Sequence, residues 1–254
     1  MLVWIGVVSL FPEMLRAVTE YGLVSRARAA GLLDIDLANP RDFAHDKHRT
    51  VDDAAYGGGP GQVMMAEPIA QASAHLACKA PCAPKRIYLT PEGRPLDQAV
   101  VEELSANDSL ILIAGHYEGV DERVREKLCD DEVSIGDYVL SGGELPAMVV
   151  VDALARRIPG VLGNAASLAC ESFTQGRLEG AHYTRPRVWR GEAVPDALLS
   201  GNHKAIESWR ARSAFRRTYE RRPDLFKRWP LDTQEITFID DTQRGGDHAQ
   251  EQGS

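Results

Sequence analysis

Apolar positions in the first 160 residues come as short runs separated by longer stretches with helical spacing, a strand–helix rhythm. Residues 2–10 are rich in Val, Ile and Trp and predict a strand. Pro12 suits a first helical turn, with Met14, Leu15 and Val18 on its apolar side. A short helix over 23–30 is predicted to end at Gly31, a C-terminal cap, and 33–37 alternates like a half-buried strand. The succession then runs helix 67–77 to strand 86–90, helix 96–104 to strand 109–114, and helix 122–128 to strand 132–135. An apolar helix over 147–158 closes this half. Such alternation predicts an α/β fold, a parallel sheet with helices on both faces. Open sheets of that kind bind ligands at the carboxyl ends of their strands.

Two stretches break the rhythm. Residues 39–61 are polar, with little periodicity, and end in Tyr56-Gly57-Gly58-Gly59-Pro60-Gly61. A loop of that length has a job or is disordered, and its glycines could form a backbone nest for a phosphate. It lacks the Lys-Ser/Thr ending of a P-loop, so triphosphate binding is disfavoured. Composition shifts after Pro159-Gly160: residues 163–176 are small and polar, and the chain beyond is helical and basic. The organisation expected is a domain over 1–162, a linker over 163–176, a small helical domain over 177–240 and a disordered tail over 241–254.

Charge sharpens this division. The chain carries a formal −8, but residues 177–230 hold thirteen Lys/Arg against six Asp/Glu, a local +7 that leaves −15 for the rest. A basic segment on an acidic body suggests a grip on a polyanion, or else a solvated helical face. No apolar run reaches the length of a membrane span, and the apolar first residues read as a buried strand, not a signal peptide. Cys78, Cys82, Cys129 and Cys170 show neither zinc spacing nor a disulfide framework, which fits a reducing cytoplasm.

Three loops leave the strand ends: Pro91-Glu92-Gly93, then 115–119, then 134–146 with Gly136, Gly142 and Gly143. Glycines there let the backbone approach a ligand closely, as a flat heterocycle held by main-chain groups would require. Taken alone, the third loop is equally an ordinary strand-to-helix turn. No Gly-x-Gly-x-x-Gly follows the first strand, which argues against a dinucleotide oxidoreductase.

Four motifs appear in order: Tyr56 to Gly61, Gly115-His116-Tyr117-Glu118-Gly119-Val120-Asp121-Glu122-Arg123, Ser134 to Glu144, and His182-Tyr183-Thr184-Arg185-Pro186. Together they resemble the bacterial tRNA (guanine-N1)-methyltransferase family of the SPOUT superfamily, over nearly everything from Met1 to about Leu225. The resemblance implies a homodimer that moves a methyl group from S-adenosylmethionine to N1 of guanosine 37 of tRNA, beside the anticodon. It also implies a C-terminal trefoil knot in the α/β domain. For the donor pocket it points to Tyr88, Leu89 and Pro91, to Gly115, Tyr117 and Glu118, and to Ile135, Gly136, Tyr138, Leu140, Gly142, Gly143 and Pro146. Backbone groups from Ile135 to Leu140, including Asp137 and Val139, would read the adenine edge.

Guanine N1 carries a proton and is a poor nucleophile until that proton leaves, so a carboxylate is the natural base. The charge that spreads to the ring oxygen calls for a guanidinium. The family's base is the aspartate of an Asp-Ser-Phe motif, matched here by Glu171-Ser172-Phe173, one methylene longer. The family's arginine matches Arg156, with Arg157 read as a solvated or phosphate-facing charge, and a second acid matches Glu179. His116 is read as a satisfied polar residue. Arg185, His203, Lys204, Arg210, Arg216 and Arg217 are the candidates for tRNA phosphate contacts. No metal ligands are named, and a magnesium requirement is left open. Two other readings remain: a knotted ribose or ribosomal RNA methyltransferase, and a tRNA-binding protein that keeps the pocket without catalysis.

Overall fold

The structure is a computed structural model that describes residues 2–163, 171–174, 176–231 and 235–236. The expected tail and most of the expected linker lie outside the described residues. The chain divides into two compact units, Met1–Gly163 and Asn164–Ser254.

In the first unit the elements run β1 (Val3–Val8), a 3₁₀ turn Pro12–Leu15, α1 (Arg16–Thr19), α2 (Gly22–Ala29) and β2 (Leu33–Ala38). A 3₁₀ turn Pro40–Phe43, β3 (Asp52–Ala54), β4 (Gln62–Met64) and α3 (Ala66–Ala77) follow. Then come β5 (Lys85–Pro95), α4 (Gln98–Ser105), β6 (Ser109–Ala114), α5 (Glu122–Leu128), β7 (Asp131–Ser134) and α6 (Glu144–Ala155). The main sheet has the order β2-β1-β6-β5-β7, and each pairing is parallel.

Burial on both faces explains the unbroken apolar strands. Val3, Ile5 and Val7 pack with Leu110, Leu112 and α6 on one face, while Trp4 and Val8 pack with Ile111, Ile113 and α3 on the other. Caps set several boundaries. Asp97 accepts from the Val100 N–H at the start of α4 and Asp121 from the Arg123 N–H at the start of α5. Gly31 follows α2 at φ 68°, as the cap reading anticipates.

Two expectations need correction. Pro91-Glu92-Gly93 is not a loop leaving a strand but part of β5. Leu89 and Arg94 both pair with Val133, so residues 90–93 bulge out of the ladder. Residues 39–61 are not structureless: they hold the Pro40–Phe43 turn and β3, whose antiparallel partner β4 follows at Gln62–Met64. The Gly57–Gly59 run caps that hairpin beside the fully exposed Tyr56.

The second unit contains the two-stranded hairpin β8 (Val188–Trp189) and β9 (Glu192–Ala193), then α7 (Asp196–Leu199), α8 (His203–Arg221) and α9 (Leu225–Arg228). Phe215 and Leu225 are buried here, with Phe226 against Phe215. Arg177 donates to both oxygens of Glu235 at 2.6 Å and its guanidinium lies 4.5 Å from the Phe226 ring centre. Part of the basic count is therefore structural.

Candidate active site

A cleft of about 290 Å³ opens beside the bulge of β5 and the carboxyl ends of β6 and β7. Every residue named above for the donor pocket lines it except Asp137. Thr90, Glu92, His116, Gly119, Val133, Ser134 and Ser141 also line it and were not assigned to the donor pocket from the sequence. Burial pushes the Tyr88 phenol above its ordinary value, so it stays neutral in the wall.

The glycines are needed for close backbone approach. A Cβ on Gly143 would stand 2.7 Å from the Ala114 Cα and 3.0 Å from the Gly115 N. The Gly143 N–H donates to the Gly115 carbonyl at 2.7 Å, and His116 and Gly142 form an antiparallel bridge. The second and third loops are thus fastened together along one edge of the cleft. Tyr117 sits at φ 59°, a conformation costly for a bulky residue. Its ring meets His116 edge-on, and its hydroxyl accepts from Arg41 at 3.2 Å.

Support for the second loop comes from the hairpin that sequence reading missed. Met64 donates its N–H to the Gly119 carbonyl at 2.9 Å and accepts from Asp121, while the Glu118 N–H donates to Gln62. The His116 N–H lies 3.2 Å from the Met64 sulfur.

His116 is not a satisfied polar residue. Its Nδ1 is buried with no hydrogen-bond partner among the described residues and faces Glu144 Oε2 at 3.7 Å. Glu144 is itself buried, at the start of α6, where the Ser9 hydroxyl donates to it at 2.9 Å. A carboxylate at a helix N-terminus is favoured by the exposed N–H groups there. A second cleft of about 250 Å³ shares His116, Ser141 and Gly142 with the first and adds Phe11, Met14, Glu144 and Leu145.

Arg156 caps the end of α6 and is half-buried, whereas Arg157 pairs with Glu102 at 3.0 Å and is not a merely solvated charge. Glu171 and Glu179 belong to the second unit. There the Ser172 hydroxyl accepts from the Glu179 N–H at 3.0 Å, and the Phe173 N–H donates to Arg177 at 2.7 Å. These bonds fold the Glu171 segment back on the Glu179 segment. Glu179 also meets His182 Nε2 at 2.8 Å. Of the basic candidates, Arg185, His203, Lys204 and Arg210 are exposed, while Arg216 pairs with Glu220 at 2.7 Å. Among the described residues no group of three or more His, Cys, Asp or Glu side chains could hold a metal ion, which gives magnesium no support. Nor is any described helix long and apolar enough to cross a membrane.

A parallel sheet with glycine loops around a cleft at its strand ends defines an α/β protein, and open sheets of this kind take their ligands at such a place. Comparison with known proteins is more specific. A family model described as tRNA (Guanine-1)-methyltransferase TrmD matches residues 3–228. Curated proteins named tRNA (guanine-N(1)-)-methyltransferase are similar along nearly their whole length. That of Aeromonas hydrophila is 56% identical over 236 residues, 93% of this chain and 95% of that protein. That of Cronobacter sakazakii is 53% identical over 249 residues, 98% of this chain and 96% of that protein. The chain belongs to the tRNA (guanine-1)-methyltransferase family, a family of transferases.

Proposed function

We propose that this protein methylates N1 of guanosine 37 in tRNA with S-adenosylmethionine as donor. The observation that carries the donor site is the convergence of three separately coded segments, the bulge of β5 and the 115–119 and 134–146 loops, around one cleft lined by the residues the resemblance points to. The walls suit a flat heterocycle with an apolar flank: Leu89, Val133, Ile135, Leu140 and Pro146 line it, with Tyr138 at its edge. Tyr88, Gly115 and residues 135–140 would hold the adenosine part, in line with the narrow slot the glycines permit. The donor supplies a methyl group already activated on a sulfonium sulfur.

What remains for the chain is one proton and one developing charge. Glu171 takes the proton from guanine N1 as the N1–methyl bond forms and the sulfur–methyl bond breaks. Arg156 stabilises the negative charge on the neighbouring ring oxygen, and Glu179 contacts the target base. The tie from Ser172 to Glu179 supports a shared role for these two acids. Exposed Arg185, His203, Lys204 and Arg210 supply phosphate contacts.

The same reading makes the protein a cytoplasmic homodimer with a knotted donor domain, a helical tRNA-binding domain and a linker between. The knotted path rests on the family resemblance. Phe11, Met14, Leu145 and Val149, each 42–46% exposed, give the first unit an apolar face suited to a second copy.

The decisive assay incubates the protein with S-adenosylmethionine and a tRNA transcript carrying guanosine 37, then analyses nucleosides. N1-methylguanosine is the expected product; a 2′-O-methyl product would overturn the assignment. Glu171→Gln is expected to abolish transfer while donor affinity, measured by calorimetry, stays nearly unchanged. Full activity in that variant would shift the base to Glu179.

A further inference from the structure

One guanidinium outside the cleft joins the elements that form its walls. Arg125, on α5, donates from Nε and Nη2 to the two oxygens of Glu132 at 2.9 and 2.8 Å. Its Nη1 donates to Glu122 at 3.0 Å, and its Nη2 lies 2.5 Å from Glu92. The guanidinium carbon is 5.8 Å from the Tyr88 ring centre. Glu92 rides on the bulge of β5 that enters the cleft, Tyr88 is cleft wall on the same strand, and Glu132 directly precedes the wall residue Val133 on β7.

The Arg125 side chain is 21% exposed, so its bonds to Glu132 are better shielded than those of an open surface pair. Its removal would also leave three carboxylates, Glu92, Glu122 and Glu132, converging without a cation. Of the three, Glu92 has the freedom to move, being 66% exposed on a segment that has left the ladder.

We infer that Arg125 is a positioning residue of the donor cleft, which fixes the Thr90–Gly93 bulge against α5 and β7 and thereby sets donor affinity. This rests on the cleft being the S-adenosylmethionine site. Arg125 does not touch the reacting atoms, so its loss should act on donor binding and leave the chemical step alone.

The test uses the full chain, with S-adenosylmethionine calorimetry and steady-state methylation of a tRNA transcript. Arg125→Gln is expected to raise donor Kd and donor KM roughly tenfold, with kcat at saturating donor within about twofold of the parent. Arg125→Lys keeps the charge but not the fork and should recover only part of the affinity. Glu92→Gln, an exposed change that leaves the Glu132 fork intact, should weaken donor binding about threefold. The pair Arg125→Gln with Glu92→Gln removes cation and repulsion together and should bind donor more tightly than Arg125→Gln alone, a coupling that general destabilisation would not produce. Unchanged donor Kd in Glu92→Gln and in folded Arg125→Gln, with the parent binding normally, would overturn the inference. A parent chain that binds no donor would instead remove the reading of the cleft on which it stands.

Discussion

Gly143 has no room for a side chain, because backbone on the neighbouring loop already occupies the space. A Cβ there would press on Ala114 and Gly115, and backbone yields less readily than a flexible side chain. Gly143→Ala should cost roughly 1–3 kcal/mol of stability by overpacking, and donor binding should fall with it. Gly163→Ala, where nothing lies within 4 Å, is the control and should leave the thermal midpoint in place. Cysteine reactivity is a second residue-scale expectation. Burial pushes the Cys129 thiol up to about 12, helped by the Glu132 and Asp130 carboxylates. It therefore stays protonated at pH 8 and is partly shielded from reagent, whereas Cys78 and Cys82 are exposed. Peptide-resolved iodoacetamide labelling should modify Cys78 and Cys82 well before Cys129; equal rates would contradict the half-buried, acid-flanked setting. At this scale the glycines were legible, since a run such as Gly-Gly before an apolar helix signals a backbone need. His116 was not, because its orphaned nitrogen depends on Glu144, placed opposite it only by the loop-to-loop bridge.

Elements were legible where periodicity was long and illegible where it was short. The main strands announced themselves as apolar runs because both sheet faces are covered. Strands β3 and β4, three residues each, are too short to carry a period, yet their hairpin props the second loop of the cleft. The bulge of β5 was read as a loop because Pro and Gly within a run normally end a strand. Opposite that bulge, β5 is secured by a charge network. Arg94 pairs with Glu103 at 2.6 Å and with Asp131 at 2.6 Å, and Lys85 reaches both acids. Hydrogen bonds from Arg94 and then Lys85 hold the Glu103 carboxyl down at about 2. Asp131 is pushed up by burial but drawn further down by the same two cations. A carboxyl whose pKa is depressed by folding stabilises the native state fully above its ordinary value and loses that effect as pH falls through the folded value. The difference in thermal midpoint between the parent and Glu103→Gln should therefore be widest near neutrality and shrink between pH 4.5 and about 2. A difference that holds constant across that range would mean the network does not anchor the strand.

At the scale of the whole molecule, the chemistry is divided. The cleft belongs to the unit Met1–Gly163, while Glu171 and Glu179 belong to Asn164–Ser254. A shift from acidic to basic composition made that division visible in sequence, but no pattern in a single chain says which copy's acid serves which cleft. If each site joins the donor loops of one subunit to the Glu171 segment of its partner, two inactive variants should restore each other. Leu140→Asp places a charge in the cleft at a residue 37% exposed, so it should block donor binding without disturbing the core. Glu171→Gln leaves the cleft intact but removes the proposed base. Co-refolded in equal amounts, the two chains form mixed dimers in about half of all cases, and each mixed dimer holds one complete site. Methylation should then return to about one quarter of the parent rate, because one site in four is whole. If each site used a single chain, every site in the mixture would carry one of the two lesions, and no activity would return. Titrating the ratio of the two chains separates a shared site from contamination by the parent, since recovery should peak at equal amounts and vanish at either extreme.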